Sequence, residues 1–430
     1  MNINIQSFWL ICFALLMSVF VGWLSIGSPI PILVLAAVII GSFFITHLSS
    51  LWLIVFTICI HFDDLFVPLG FAKIGYGDFA LALLLVYWPT WRFNRSTPLQ
   101  LPKAWPFLIL YLIGVGLSWL QGPAPEQVTG LYIRQCLYIA GFFMLIDLIR
   151  TERLLHLFLW TILFSCVVHV LVGFYLDGGS RRFVGLVGQP NSFAGLIGPG
   201  ALIALSMNSV THFKRWLKLL FSALGGLVFF GLILTVSRGA QVAFAIALLW
   251  SFRHRKREII IGALLLGLVF GLILILQPER LDYFFLRWQL EDGSVHDRQA
   301  ILRNALRIIY EHPFFGFGFA QFRLIKDYMQ IDHGHDRASH NYYMGELSTL
   351  GIPTVMMLYI FILQQAKSLF SLDRIILLRD RAYIITLQSL LIFQSIALIF
   401  RGGRRMIEWS FLAIYSAAVI IYYKKYEVDP

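Results

Sequence analysis

The chain has 430 residues, of which 59% are hydrophobic and 13% charged, and its formal net charge at pH 7 is +11. Soluble domains contain about 45–50% apolar and about 25% charged residues, so this composition and the mean hydropathy of +0.77 predict a polytopic membrane protein. They exclude a secreted disulfide scaffold, a nucleic-acid-binding protein and a disordered chain. Surplus Lys and Arg in a membrane protein first reflect topology and lipid head groups. The four cysteines lie in apolar stretches, which favours neither a disulfide nor a metal site.

Apolar stretches long enough to cross a bilayer follow one another along the chain. A spanning helix needs about 20 predominantly apolar residues. The first stretch, residues 6–25, lacks a preceding basic segment and is interpreted as a span, not as a signal peptide. The pattern predicts an all-α, polytopic transmembrane helical bundle of about twelve to fourteen spans. The candidate spans are residues 6–25, 29–46, 50–61, 78–91, 104–120, 131–149, 154–176, 193–210, 216–236, 239–252, 259–276, 344–366, 382–400 and 406–423.

The charges of the short loops predict the orientation of the bundle. Lys and Arg accumulate on one side of the alternating scheme, which the positive-inside rule assigns to the cytoplasm together with both termini. The opposite side carries a long loop that is large enough to fold. The predicted units are an N-terminal transmembrane bundle (1–276), a periplasmic loop (277–343), and C-terminal spans with a cytoplasmic tail (344–430). The outer side also holds residues 62–77, 177–192, 237–238 and 401–405.

The long loop contains one amphipathic helical pattern, from Asp297 to Tyr310. Asp297 can cap the start of this helix, and Pro313 follows its end. The apolar residues recur at helical spacing and lie apart from the arginines, which predicts one buried face. The apolar residues are Ala300, Ile301, Ala305, Ile308 and Ile309.

The outer side contains more arginine than the orientation rule predicts. An arginine side chain binds phosphate through two parallel hydrogen bonds and keeps its charge in a dry site. The excess therefore favours a pyrophosphate ligand at the outer membrane surface; the alternative is binding to anionic lipid head groups. The arginines are Arg181, Arg182, Arg238, Arg287, Arg298, Arg303, Arg323, Arg337, Arg401, Arg404 and Arg405.

Two outer segments have a composition that suits a tight turn. Arg238, within residues 235–240, interrupts a long apolar stretch, and an ionisable residue at membrane depth is a functional candidate by default. The alternative is that Arg238 only marks a turn between two spans. The glycines and Pro190 of residues 181–191 suit a re-entrant loop with Asn191 capping the next helix, or a plain connector.

The segment 332–341 contains three histidines. His333 and His335 fit a solvated polar loop. Their spacing matches no established zinc pattern, so no metal is predicted, although the number of histidines leaves a metal as the alternative. His340 stands at the start of the next span, where a neutral imidazole can take a proton from a hydroxyl. We therefore expect His340 to act as a general base.

A basic cleft with a histidine beside it fits one type of chemistry. It suits glycosyl transfer from a sugar linked to a polyprenyl diphosphate, because arginines can hold the charge of the leaving diphosphate without a metal. The base activates an acceptor hydroxyl, and a single displacement inverts the anomeric carbon.

Four sequence blocks between Arg181 and Thr354 resemble those of the O-antigen ligase and polymerase superfamily. The fourth block is His340-Asn341, nine residues, Gly351, two residues, Thr354, a spacing typical of the ligase branch. It departs from many relatives in having residues 348–350, Ser-Thr-Leu, where an acidic residue is common. The other blocks are Arg182-Phe183-Val184-Gly185 with Pro190-Asn191, then Ser237-Arg238-Gly239-Ala240, then Arg298 and Arg303 followed by His312 to Gly318.

The resemblance implies a GT-C-like membrane fold with an undecaprenyl-diphosphate-linked glycan as donor, and no metal, nucleotide or other cofactor. It makes His340 the catalytic base and Arg238 and Arg298 the ligands of the donor diphosphate, with Arg303 and Arg182 as further ligands. The supporting positions are Asn341, Ser237, Gly351 and Arg405.

The same resemblance implies a reaction and a location. The protein would be an O-antigen ligase of the bacterial inner membrane that transfers polysaccharide to the lipid A-core oligosaccharide at the periplasmic face. Membrane lipids surround it, and it has no nucleic-acid partner. One alternative is an O-antigen or exopolysaccharide polymerase of the same family. An alternative of another class is an organic-anion or bicarbonate transporter, which predicts paired helix breaks in both halves, whereas the breaks here cluster in the second half.

Overall fold

The computed structural model describes residues 49–62, 66–69, 72–93, 97–176, 182–207, 213–253, 271, 293–321, 341–400 and 406–426. The predicted spans 6–25 and 29–46, and all of 259–276 except residue 271, lie outside the described residues. The helices are α1 Ser49–His61, α2 Tyr76–Phe93, α3 Trp105–Gln121, α4 Pro125–Leu148, α5 Glu152–Leu176, α6 Pro190–Met207, α7 Arg215–Leu234, α8 Arg238–Ser251, α9 Gly293–Glu311, α10 Tyr342–Leu350, α11 Ile352–Ser371, α12 Leu378–Ala397 and α13 Met406–Lys425. Short 3₁₀ turns lie at Gly185–Val187 and Leu372–Arg374.

The described residues form a helical membrane bundle, as predicted. Five helices are long and apolar enough to cross a bilayer by length and composition. They are Pro125–Leu148, Glu152–Leu176, Arg215–Leu234, Ile352–Arg374 (which includes the second 3₁₀ turn) and Met406–Lys425, and the shorter helices Ser50–His61 and Trp105–Gln121 are also apolar. Helix α13 is buried around most of its circumference, which is typical of a helix at the centre of a bundle. It packs against α4, α5, α11 and α12.

One strand pair departs from the predicted all-α fold. Strands β1 (Phe66–Leu69) and β2 (Ala72–Gly75) form an antiparallel hairpin, with Phe66 opposite Gly75 and Leu69 opposite Ala72. From the sequence, residues 62–77 were predicted only to lie on the outer side. Phe66, Val67 and Ile74 favour extended backbone, and four residues per strand are too few for the alternating pattern to stand out.

Several helix boundaries differ from the prediction. The predicted span 344–366 begins two residues earlier and is broken at Gly351 into α10 and α11. Helix α9 begins at Gly293, so Asp297 lies inside the helix and does not cap it. The predicted buried face of α9 is confirmed at Ala305 and Ile308, which are both inaccessible to solvent.

Ion pairs collect at one end of the bundle, which we call the ion-pair end. The carboxylate of Asp147, completely buried, pairs with Arg150 and lies 3.6 Å from Arg92. It also accepts hydrogen bonds from Trp88 Nε1 and from the Gln100 amide, both at 3.1 Å. Further pairs at this end are Arg253–Asp373, Arg381–Asp373, Lys425–Asp380 and Lys425–Glu152. These pairs join α4 to α2, and α13 to α5 and α12, where the basic loops were predicted.

Truncating Asp147 tests how far the ion-pair end holds the bundle together. Asp147→Ala leaves Arg150 and Arg92 without their buried partner, and we expect a loss of about 3–5 kcal/mol of stability, measured by thermal unfolding of the purified protein. The control is Glu311→Ala, which breaks the Arg307–Glu311 pair (2.8 Å), whose arginine is 65% exposed. This variant should lose less than about 1 kcal/mol. Equal losses in the two variants would contradict the prediction.

Candidate active site

The turn between α7 and α8 has a strained backbone. Val236 adopts φ 51°, in the left-handed region that β-branched residues rarely occupy. The Thr235 hydroxyl donates to the Leu232 carbonyl (2.7 Å) and accepts from the Ser237 amide (3.2 Å). Helix α8 then begins at Arg238, which is half-buried. Strain of this kind persists only where the surroundings hold it, so the turn places the Arg238 backbone in a fixed position.

Arg182 and Asn191 provide those surroundings. The Arg182 guanidinium donates from Nε to the Thr235 carbonyl (3.2 Å) and from Nη2 to Asn191 Oδ1 (3.4 Å). The same Asn191 oxygen accepts a hydrogen bond from Ser237 Oγ at 2.9 Å. Asn191 is the second residue of α6 and does not cap this helix. Its side chain joins the first sequence block to the second. These contacts give Arg182 a positioning role for the turn; its predicted contact with the diphosphate stays a prediction.

The segment before Asn191 is fixed by backbone and aromatic contacts. The Phe183 amide donates to the Leu234 carbonyl at 3.0 Å, and the Phe183 ring is buried against Phe193. Gly173 faces the same ring, and a Cβ at this position would overlap it. The segment predicted as a re-entrant loop or a plain connector contains a short 3₁₀ turn, Gly185–Val187, that packs against α5 and α6.

The end of α12 connects this turn to α10. Phe400 lies against the backbone of Gly239, so closely that a Cβ at Gly239 would overlap the Phe400 ring. Two residues earlier in the chain, the Leu398 carbonyl accepts a hydrogen bond from the Tyr342 amide at 3.0 Å. The start of α8 and the start of α10 therefore meet the same short segment. We call this end of the bundle the motif end.

The break at Gly351 is held by the segment that follows α9. Gly351 has φ 78°, and a Cβ there would overlap the Phe314 carbonyl. The Ile352 amide donates to the Pro313 carbonyl (2.8 Å). The amides of Phe317 and Gly318 donate to the last carbonyls of α10, those of Ser348 (2.9 Å) and Thr349 (3.1 Å). The structure thus joins the third and fourth blocks, as it joins the first and second.

Asn341 caps α10. Its Oδ1 accepts a hydrogen bond from the Met344 amide at 3.3 Å, which satisfies one of the amides that a helix start leaves open. His340 precedes this cap by one residue and itself lies outside the described residues. The supporting role predicted for Asn341 therefore has a physical basis in the start of α10.

A chain of polar side chains next to α10 was not predicted from the sequence. The Tyr111 hydroxyl donates to Glu346 Oε2 (3.2 Å) and accepts from Gln135 Nε2 (3.4 Å). Ser118 Oγ of α3 donates to the Thr349 carbonyl at 2.7 Å. Glu346 could have indicated these contacts from the sequence, because a carboxylate within an apolar stretch needs a buried partner.

The remaining predicted residues are placed only in part. Arg298 and Arg303 both lie on α9, five residues apart and therefore about 140° apart around the helix. The Arg303 side chain is exposed. Outside the described residues lie His333, His335, His340, Arg181, Arg287, Arg323, Arg337, Arg401, Arg404 and Arg405. Within the described part of the chain, no group of three or more His, Cys, Asp or Glu side chains could hold a metal.

The described residues form a polytopic helical membrane protein. One end of it carries the turn before Arg238 and the short helix α10, which is capped by Asn341 and ends at the break at Gly351. Residues 223–359, about a third of the chain, match the family model described as O-antigen ligase. The segment contains Arg238, Arg298, Arg303, His340 and Gly351. Over this segment the chain is similar to the O-antigen ligase family, which confirms the resemblance. No curated protein matches the chain.

A substitution at Gly351 tests the break between α10 and α11. Gly351→Ala places a Cβ against the Phe314 carbonyl and forces an L-residue to φ 78°, so we expect a loss of about 2 kcal/mol or more, measured by thermal unfolding. The control is Gly130→Ala inside α4, where no atom lies within 4 Å of the added Cβ. That variant should gain up to about 1 kcal/mol. A neutral Gly351→Ala would overturn this account.

Substitutions at Asn191 test the turn before α8. Asn191→Ala removes the acceptor of Ser237 and Arg182, and we expect a loss of about 1.5–3 kcal/mol because one partner is charged. Asn191→Asp keeps an acceptor oxygen and should restore most of the unfolding temperature. Gln189→Ala, at an exposed position that accepts only a long 3.5 Å bond from Ser192, is the control and should stay within about 0.5 kcal/mol. A loss in both Ala variants would contradict the role of Asn191.

Proposed function

We propose that this protein is an O-antigen ligase of the bacterial inner membrane. It transfers polysaccharide from undecaprenyl diphosphate to the lipid A-core oligosaccharide at the periplasmic face. The match of residues 223–359 supports ligase- or polymerase-type chemistry. The acceptor, the donor and the residue roles belong to the proposal.

The observation that carries the proposal is the convergence at the motif end. Arg238 is the first residue of α8, and a helix start carries partial positive charge that attracts phosphate. The bonds from Arg182 to Thr235 and Asn191 hold this start in place and leave the formal charge of the Arg182 guanidinium intact. Through Phe400 and Leu398, the same end reaches the start of α10, next to His340 in the sequence.

In the proposed reaction, His340 takes the proton of an acceptor hydroxyl. The oxygen attacks the anomeric carbon of the donor sugar, and the bond from that carbon to the diphosphate oxygen breaks. Arg238 and Arg298 bind the leaving diphosphate, whose charge grows as this bond breaks. The proton ends on the imidazole, the diphosphate leaves on its polyprenyl chain, and the anomeric carbon is inverted. No metal or cofactor enters these steps.

Two alternatives make different demands on the structure. A polymerase of the same family uses the same donor chemistry with another lipid-linked repeat unit as acceptor. A transporter requires broken helices that meet near the middle of the membrane. The two breaks, at Val236 and Gly351, both lie at the motif end, which favours an enzyme that works at the surface.

Substitution of His340 tests the proposed enzyme. His340→Ala removes the base, and we expect transfer to fall by about 10²–10⁴-fold with donor affinity unchanged, measured with the purified protein in proteoliposomes and a lipid-linked donor. His333→Ala is the matched control and should keep full transfer. Full transfer by His340→Ala would remove the proposed base.

A second experiment distinguishes a ligase from a polymerase: a gel of lipopolysaccharide from a strain that lacks the gene. Loss of the ladder with polymer still on its lipid carrier supports the ligase, and the wild-type gene, but not His340→Ala, should restore the ladder. A core that carries a single repeat unit would indicate the polymerase instead. An unchanged ladder would reject both and favour transport or another glycan.

A further inference from the structure

Helix α9 has a buried side and a polar side. Ala305 and Ile308 are inaccessible to solvent, and the helix packs against α10. Arg303, Arg307 and Glu311 lie on an exposed polar side, where Arg307 pairs with Glu311 at 2.8 Å. Residues 305 and 308 are about 100–200° away from these three around the helix, so a third side of α9 remains between the two.

The third side of α9 is both apolar and exposed. Leu302, Leu306 and Tyr310 follow one another at intervals of four residues, which places them along one side of the helix. Leu306 is 50% exposed and Tyr310 is 88% exposed. Phe314 and Phe315, also exposed, extend this surface beyond the end of the helix. We call these five residues the apolar stripe. An exposed apolar surface of this extent indicates an interaction partner.

The break at Gly351 sets the level of the stripe relative to the bilayer. Helix α11, Ile352–Ser371, has twenty residues, which rise about 30 Å and match the thickness of the hydrocarbon core. The ion pairs of Asp373 lie just beyond its far end, so its start lies near the outer boundary of the core. The Ile352 amide donates to the Pro313 carbonyl at 2.8 Å. The end of the stripe therefore lies at the same boundary.

The stripe adjoins the exposed surface of a membrane-spanning helix. Ile352 and Met356, one turn apart on α11, are exposed apolar residues of a helix that is long and apolar enough to cross the bilayer. Phe314 comes next to them, because its carbonyl lies against Gly351. Three of the five stripe residues are aromatic, and tyrosine in particular is enriched at the boundary between membrane and water.

These observations point to the surface of the bilayer as the partner. A helix with one apolar side in lipid and a basic polar side beside it is typical of the membrane interface. Arg303 lies two turns before Tyr310 and therefore at the edge of the stripe, where its guanidinium can bind lipid phosphate. Gln299, exposed on the same side, precedes Leu302 by three residues. We propose that α9 docks on the outer leaflet from Leu302 onward, with the apolar stripe among the acyl chains and Arg303 at the level of the head groups.

Photo-crosslinking of the full-length, delipidated protein in proteoliposomes tests this docking. The photoreactive amino acid p-benzoylphenylalanine is placed at Leu306 or Tyr310 in the stripe, and at Arg307 or Glu311, the adjacent residues on the polar side, as matched controls. All four positions are exposed. We expect about tenfold more lipid adducts at the stripe positions, measured by mass spectrometry, because a large apolar side chain prefers hydrocarbon to water by at least this ratio. Equal yields on the two sides would overturn the proposal.

The composition of the vesicles separates the bilayer surface from other partners. Vesicles of phosphatidylethanolamine and phosphatidylglycerol alone should give adducts with both lipids. Adducts that form only after a polyprenyl phosphate is added would assign the stripe to a substrate groove and overturn the proposal. Cross-links to a second copy of the chain, or to another part of the same chain, in place of lipid adducts would overturn it as well. The same adducts are expected in His340→Ala, so this proposal and the proposed reaction fail independently.

Discussion

The motif end depends on one constraint, which is that backbone groups buried inside a protein need hydrogen-bond partners there. Two helices are interrupted there, at Val236 and at Gly351. An interruption frees carbonyl and amide groups that an unbroken helix would pair. At the first break, the Arg182 guanidinium and the Thr235 hydroxyl take up this role. The arginine of the first block is therefore required by the turn that presents Arg238.

At the second break, backbone groups and not side chains supply the hydrogen-bond partners. The chain after α9 returns to α10, and Pro313, Phe317 and Gly318 exchange hydrogen bonds with residues on either side of Gly351. Gly316 and Gly351 both have positive φ. The two chain segments lie so close together that a Cβ at either glycine would overlap the other segment. Residues 313–318 are thereby fixed to the break between α10 and α11, so α9 has a defined place against α10.

Most of the bundle could be predicted from hydropathy, and the contacts of the site could not. Apolar stretches of sufficient length predicted α5 and α13 nearly to the residue, because burial in lipid or protein imposes the same composition along a whole helix. The predicted capping role of Asn191 was wrong. Its partner Ser237 is far away in sequence, and no local pattern distinguishes a helix cap from a long-range hydrogen-bond acceptor.

The length of α10 explains the spacing of the fourth block. This helix has nine residues, Tyr342–Leu350, and these are the nine residues between Asn341 and Gly351. Asn341 fixes one end through its cap, and Gly351 fixes the other end against Phe314. Thr354 then lies against Gly114, where a Cβ would overlap its side chain, and this contact orients α11 on α3.

A helix with both ends fixed tolerates no change in length. One residue more or fewer would turn its start by about 100° and move it by about 1.5 Å, and His340 is attached to that start. The number of residues from Asn341 to Gly351 therefore sets the distance in space between these two residues, because α10 fills the interval. In the proposed mechanism the base needs to be placed to within a fraction of an ångström, and the fixed start of α10, which follows His340 in the sequence, supports that role better than a loop of equal length would.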